Sequence, residues 1–393
     1  MKIRFLLVFV LLSAVVALGQ SYPIGHTTIT FNDPTRTGGF GSGGGSGRQI
    51  QSEIYYPGTS AGEDVPVETG SFPVVVFGHG FVMAWDAYEN VWGALVPEGY
   101  IVVFPRTEGG LSPSHLDFGM DLSVCENKMQ LEGSNSGSLF FNHVENSTAI
   151  IGHSMGGGAT VLGAASSAAV KTIVGLAPAE TNPSAIDSSA LITIPALVFS
   201  GSSDGVTPPS DHHIPIYNGI NAACKYFISV TGGAHCYFAN SNFNCDFGEA
   251  TASSGITVTR TEQQTIMNDY LIKWLDYQLK SDLSAKVAFD ALLVSDTRIT
   301  YQDDCLATSV TERDNSKFRV YPNPTTGLVQ IDISNIYGNI TAQVFSIDGR
   351  LVDHVNGISS NNLTVDLKNQ ANGLYFFNIQ TDQDYKTFKV IKY

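Results

Sequence analysis

The chain has 393 residues, with 21 Lys and Arg against 36 Asp and Glu, a formal charge of -15, and 43% hydrophobic residues. At roughly 100–200 residues per domain, that length predicts two or three units. A chain this apolar can bury large cores, which excludes a disordered protein. Acidity without a Lys/Arg cluster excludes a dedicated nucleic-acid or anionic-lipid binder.

Lys2 and Arg4 precede an apolar run over residues 5–16, and Ala17-Leu18-Gly19 has the small-x-small form of a cleavage site. This is the layout of a secretory signal peptide ending at residue 20. The run is short against the ~20 apolar residues of a membrane span. Export permits disulfides. The five cysteines are Cys125, Cys224, Cys236, Cys245 and Cys305, an odd number without a Cys-x-x-Cys pair. A zinc ribbon is therefore not expected. Cys236 and Cys245 are close enough in sequence to close a local bridge, and at least one thiol is left over or pairs outside the chain.

Candidate strands follow at residues 26–32, 49–56, 73–77, 100–104, 149–152, 172–175, 196–200 and 226–230. The later ones are short continuous apolar runs, as expected of strands buried on both faces of a parallel sheet. Helical patterns at 84–96, 116–131, 154–167 and 262–279 alternate with them. That alternation predicts βαβ units and an α/β fold. The glycine-rich segment 38–47 lies between two strand-like stretches, so it reads as a wide turn rather than a linker. Asp303-Asp304 and the polar residues 308–316 read as a linker. From residue 317 alternating strands at 329–333, 341–347, 363–367 and 375–379, with turns at Asp348-Gly349 and Asn372-Gly373, predict a small β-sandwich. The expected organisation is a leader at 1–20, an α/β domain at 21–283, an extension and linker at 284–316, and a sandwich at 317–393.

The most informative segment is Gly152-His153-Ser154-Met155-Gly156, which follows an apolar strand and opens a small-residue helix. This is Gly-x-Ser-x-Gly in the strand–turn–helix context of a nucleophile elbow. The turn projects the Ser154 hydroxyl, the glycines avoid clashes, and the Met155 N–H is an oxyanion donor at the helix start. A serine nucleophile needs an acid and a histidine later in the chain. Asp204 and His235 each stand in a loop just past a strand's C-terminal end, where the ligand-facing loops of an open sheet gather. His235 would be the general base and Asp204 its orienter. Asp187 and Asp211 are rival acids. His212 and His213 are rival bases, but both follow Pro208-Pro209 at what reads as an exposed helix start. His79, His143 and His153 read as structural. The second oxyanion donor falls in Gly78-His79-Gly80-Phe81, with the Phe81 amide preferred over Gly80. Asp303, Asp304 and Asp332 read as solvated loop acids, so no metal site is expected there.

Gly78-His79-Gly80-Phe81, the elbow, Asp204 with Thr207-Pro208, and Gly232-Gly233-Ala234-His235 resemble, in order and spacing, the α/β-hydrolases of the bacterial cutinase group. That group includes the poly(ethylene terephthalate) hydrolases; chlorophyllases and dienelactone hydrolases are more distant. The resemblance covers residues 26–283 and implies a cofactor-free carboxylic ester hydrolase with an open cleft. It implies Ser154, Asp204 and His235 as the triad, with Phe81 and Met155 as backbone donors. Two positions depart from the group. Bacterial cutinases usually carry Tyr at the place of Phe81, and Trp soon after the strand that here ends at Leu176-Ala177-Pro178. Here Ala179, Glu180, Thr181 and Asn182 follow, which removes an aromatic clamp and adds an acid beside the cleft.

Tyr321-Pro322-Asn323-Pro324, Asp348-Gly349-Arg350, Gly373-Leu374-Tyr375 and the late lysines 386, 389 and 392 resemble a type A sorting domain. Such domains direct proteins through the type IX secretion machinery. The reading is a secreted or cell-surface serine esterase acting as a monomer on small or polymeric esters. Its runner-up is a short-chain or lipid esterase without polyester activity. A prolyl-oligopeptidase-type peptidase lacks the expected cap or propeller, and a silent binding scaffold sits poorly with an intact triad. Residues 21–310 hold 11 basic and 28 acidic residues, and residues 311–393 hold 8 of each, so the acidity belongs to the catalytic part.

Overall fold

Within the apolar runs, alternate side chains face opposite sides of one sheet, because successive strand residues point to opposite faces. Val75, Phe77, Val102, Phe104, Ile151, Val174, Leu197 and Phe199 share one buried cluster. Their neighbours Val74, Val76, Ile101, Val103, Ile150, Ile173, Ala196 and Val198 share the other. Both faces are covered, which explains why these strands read as continuous apolar runs rather than alternating ones.

The computed structural model describes residues 21–165, 167, 170–305, 318–333, 339–347, 350–358, 362–381 and 385–393. The expected leader at 1–20, the polar stretch 308–316 and the Asp348-Gly349 turn lie outside the described residues. Two units divide after Leu306. In chain order the first holds β1 (Ile24–Asp33), β2 (Gly39–Phe40), β3 (Arg48–Pro57), β4 (Gly62–Glu63), β5 (Phe72–Gly78), α1 (Glu89–Leu95), β6 (Ile101–Pro105), α2 (His115–Ser134), β7 (Val144–His153) and α3 (Met155–Ala164). It continues with β8 (Val170–Leu176), α4 (Ala185–Ser189), β9 (Ala196–Gly201), α5 (His213–Gly219), β10 (Lys225–Val230), α6 (Phe243–Ala252), α7 (Arg260–Lys280), α8 (Leu283–Ser295) and β11 (Ile299–Asp303).

The strands form one sheet in the order β11-β10-β9-β8-β7-β5-β6-β3-β1-β4, with β2 beside β3. Pairs from β6 through β5, β7, β8 and β9 to β10 are parallel. The β1–β3, β3–β6 and β10–β11 pairs are antiparallel. Parallel neighbours send their C-terminal ends the same way, so the loops after β5, β7, β9 and β10 gather on one edge.

The glycine-rich segment 38–47 is a wide turn between paired strands β1 and β3. Arginines on both flanks anchor it: Arg36 Nη2 and Arg48 Nη2 bond the fully buried Asp121 of α2 at 2.7 and 2.8 Å. The expected helix at 84–96 is a short 3-10 turn over Trp85–Tyr88 followed by α1. The expected extension at 284–316 divides. Its first part folds as α8 and the edge strand β11, so Asp303 is not linker but pairs with Tyr226. A Cys224–Cys305 disulfide bonds this edge covalently to the start of β10. The strand escapes sequence patterning because only Ile299 of its five residues is buried. Cys125 is the free, buried thiol. Among the described residues no helix is long and apolar enough to cross a membrane.

The second unit holds β12 (Phe318–Tyr321), β13 (Leu328–Ile333), β14 (Asn339–Ser346), β15 (Leu351–Ile358), β16 (Asn362–Asp366), β17 (Gly373–Thr381) and β18 (Tyr385–Lys392). Sheets β12-β13-β16 and β15-β14-β17-β18 are both antiparallel and enclose Val329, Ile331, Val344, Val365, Phe377 and Val390.

Candidate active site

β7 runs straight into Ser154, whose backbone takes φ 57° and ψ -122° before α3 begins. A non-glycine residue rarely occupies this region, at a cost of about 1–3 kcal/mol. The surroundings enforce it. Ser154 N–H donates to Leu176 O at 2.9 Å, and Ser154 O accepts from Ala179 and Gly158 at 2.9 and 3.1 Å. A Cβ on Gly152 would lie 2.1 Å from Gly156 O, within the turn itself. At Gly156 the obstacle is elsewhere: its Cβ would lie 2.1 Å from Gly78 O on the neighbouring strand β5. The second glycine therefore lets the elbow dock against the sheet.

The loop after β9 carries Asp204, buried at 5% exposure. Its Oδ1 accepts from the Val206 and Thr207 amides at 2.9 and 2.8 Å, and its Oδ2 from Thr207 Oγ1 at 3.1 Å. His235, after β10, has Nδ1 at 2.7 Å from Asp204 Oδ2. Burial acts to raise the Asp204 pKa, but the His235 bond and charge, His213 and the Thr207 amide outweigh it and hold the carboxyl below its usual value. Asp204 is thus an anion, Nδ1 of His235 carries the hydrogen, and Nε2 is left as the accepting nitrogen. Gln263 of α7 brackets the loop, accepting from Ala234 N and donating to Ala234 O.

Ser154 and His235 line one cleft of about 450 Å³, together with Phe81, Val82, Met83, Leu111, Val206, Phe243 and Phe247. Phe81, Leu111, Phe243 and Phe247 are all exposed, and the Phe243 and Phe247 rings stack at 6.4 Å. These two rings sit on α6, which is pinned beside His235 by the Cys236–Cys245 disulfide, the Arg260–Asp246 ion pair and the Glu249 carboxylate on Cys236 N. The local bridge expected from sequence is present.

Of the two amides considered in the loop after β5, Gly80 N–H donates to Tyr88 Oη at 2.8 Å. It is committed, which leaves Phe81 at the cleft. Tyr88 Oη also meets His153 Nδ1 at 2.9 Å, and His153 Nε2 meets His235 O at 3.1 Å. His153 accordingly ties the Gly80 loop to the His235 loop from beneath. Val82, a β-branched residue at φ 50°, is held by Asn244 Nδ2 on its carbonyl at 3.1 Å. That φ is an outlier for such a side chain. Met155 is buried as the first residue of α3.

The other candidates separate. Asp187 lies in the first turn of α4, and Asp211 accepts from Ser210 on the surface. His212 precedes α5, with Nδ1 accepting from Glu180 N at 2.9 Å. The Glu180 carboxylate, expected beside the cleft, accepts from Ile186 N–H in α4. His213 corrects the expected exposed helix start, being fully buried below Asp204. With Asp204 and His235 it forms a trio of metal-ligand type. The trio does not fit an ion as it stands: Thr207 Oγ1 already bonds all three, at 3.1, 2.9 and 2.8 Å. Sequence reading also missed Tyr88, Glu249 and the aromatic pair on α6.

His79, His153 and His213 are buried, and burial lowers each pKa, for His213 to about 3. In the unfolded chain they titrate near 6.5. Their folded pKa values are depressed, so the unfolded state binds more protons at acid pH. Stability is full above ~6.5 and falls as pH drops toward 3. For His213 alone the loss is about 3 kcal/mol by pH 4. Denaturant unfolding at pH 7 and pH 4 checks this, and His213→Gln should shrink the difference between the two.

A mostly parallel sheet with helices on both faces and a serine on a strained strand-to-helix turn defines an α/β-hydrolase fold. Residues 24–280 match the PET hydrolase-like family, and the chain belongs to it. Residues 319–393 match the secretion system C-terminal sorting domain. The chain is 25% identical over 213 residues to cutinase est1 of Thermobifida alba, covering 54% of this chain and 64% of that one. It is 24% identical over 224 residues to the bis(hydroxyethyl) terephthalate hydrolase of Streptomyces coelicolor, covering 57% and 63%. Against cutinase 1 of Thermobifida cellulosilytica it is 30% identical over 88 residues, covering 22% and 32%. The chain thus spans less than two thirds of the length of each of these relatives.

Proposed function

We propose that the chain is an exported serine hydrolase that cleaves carboxylic esters, polyesters included, through an acyl-enzyme on Ser154. The observation carrying this is the 2.7 Å His235–Asp204 bond beside a serine that shares the cleft with His235. His235 Nε2 takes the Ser154 proton as Oγ attacks the ester carbonyl, and the Phe81 and Met155 amides receive the developing oxyanion. The tetrahedral species collapses, and His235 returns the proton to the departing alcohol. Water then attacks the acyl-serine with His235 again as base, releasing the acid and free Ser154.

The match at residues 319–393 supports export by a secretion system that reads this C-terminal unit. Phe81, Phe243 and Phe247 support an apolar substrate, and they offer aromatic faces in a chain where Ala179-Glu180-Thr181-Asn182, without a Trp, directly follow Pro178. The test is turnover of p-nitrophenyl esters from acetate to palmitate, beside bis(hydroxyethyl) terephthalate and an aromatic polyester film. Short esters and the terephthalate ester are expected to turn over. Turnover of short esters alone discards the polyester reading, and no turnover of any ester discards the whole.

A further inference from the structure

His213 is buried, bonded at both ring nitrogens, and unused by the mechanism above. Its Nδ1 lies 2.9 Å from Ser200 Oγ and its Nε2 lies 2.9 Å from Thr207 Oγ1. Thr207 Oγ1 in turn lies 3.1 Å from Asp204 Oδ2 and 2.8 Å from His235 Nδ1.

Counting hydrogens gives this chain one direction. Asp204 is a carboxylate and only accepts, so the single Thr207 hydroxyl hydrogen points at Oδ2. Reversed, two oxygens 3.1 Å apart would face each other with no hydrogen between them. Thr207 Oγ1 therefore accepts from His213 Nε2–H. His213 Nδ1 is then an acceptor, and Ser200 O–H supplies its hydrogen. Every bond has one donor and one acceptor with a neutral ring, the state that burial imposes on His213.

The consequence lies at His235. Thr207 Oγ1 is close enough to Nδ1 to compete with Asp204 for its hydrogen. His213 Nε2–H occupies the Thr207 oxygen from the other side and weakens it as a competing acceptor. We propose that His213 and Thr207 are positioning residues: His213 directs the Thr207 hydroxyl onto Asp204 and so keeps the His235 Nδ1–H on that carboxylate. The inference rests on the reading of Ser154, Asp204 and His235 as the triad.

His213→Phe keeps the ring volume and removes both bonds. Thr207 Oγ1 then competes freely for Nδ1–H, the imidazolium is held less well, and the acid limb of kcat/KM moves to lower pH. Thr207→Val removes the competitor and also one donor to Asp204. The carboxylate then holds the imidazolium more strongly, and the limb moves to higher pH. His213 Nε2, 3.6 Å from Asp204 Oδ2, is too far to replace that bond as it stands. The other groups facing these rings are His153 and His212, with Glu249 and Arg260 on the adjoining Cys236 backbone, and all stay unchanged in both variants.

The experiment is the pH profile of p-nitrophenyl butyrate hydrolysis by the full chain, with Ser154→Ala as control. His213→Phe is expected to lower kcat about tenfold with KM within about twofold, the scale of one lost hydrogen bond. His213→Gln, which offers an acceptor and a donor, is expected to recover most of that loss. The opposite limb shifts in His213→Phe and Thr207→Val separate positioning from a role in packing alone. Wild-type kcat and unshifted limbs in both, with Ser154→Ala inactive, overturn the inference and leave the triad reading standing. If His213→Phe does not fold, Thr207→Val against Thr207→Ser decides alone: only the valine variant should shift the limb, and equal profiles overturn the proposal. Turnover by Ser154→Ala overturns both readings together.

Discussion

Ser154→Ala is expected to lower kcat on p-nitrophenyl butyrate at least about ten-thousandfold, leaving only what the oxyanion amides and binding supply. In the proposed mechanism the hydroxyl oxygen forms the covalent bond, and the neighbouring Thr207 Oγ1 does not replace it, being buried on the far side of His235, against Nδ1. Alanine also fits the site. It keeps the φ of 57° that the Leu176, Ala179 and Gly158 bonds impose and removes no bond that holds the turn. The variant should melt within a few degrees of the parent, so lost turnover reports chemistry. Steady-state kinetics with a melting curve on the same preparation checks it.

Asp204→Asn is expected to cost kcat about ten-thousandfold while the fold persists. The reason lies in the bonds around the carboxylate. Val206 and Thr207 amides donate to Oδ1, so the asparagine oxygen must stay there to accept them. The NH₂ group then replaces Oδ2 and turns its hydrogens toward His235 Nδ1, 2.7 Å away. The ring has to present Nδ1 as an acceptor. Its hydrogen moves to Nε2, the nitrogen that must take the Ser154 proton, and the base is blocked by its tautomer. KM, set by the apolar cleft, should change little. A kcat within tenfold of the parent would contradict the assigned orientation of His235.

The elbow was legible because its chemistry is local: the strand, both glycines and the helix start are contiguous. Asp204 and His235 were legible because each follows an apolar run by a few residues, and parallel strands gather such loops. His213 was not. Pro208-Pro209 and a polar stretch suggest a surface turn, and only the packing of α5 under the Asp204 loop buries that ring. The Cys224–Cys305 bridge joins residues 81 apart and has no sequence signature, and β11, one-sided and acidic, looks like linker. The α6 platform escaped for a similar reason. Phe243 and Phe247 are exposed on a short helix whose place depends on bonds to Cys236 and Arg260 rather than on an apolar stripe.

The acidic balance and the exposed rings around Ser154 belong to one unit: an acidic domain with an apolar cleft at its serine. Whether Ser154 in that cleft is an activated nucleophile is decided most directly by a fluorophosphonate probe and the mass of the labelled peptide. One adduct per chain is expected, on Ser154, formed with loss of ester turnover and absent from Ser154→Ala. A protein that hydrolyses esters yet carries no adduct on Ser154, or carries it on another residue, would contradict it.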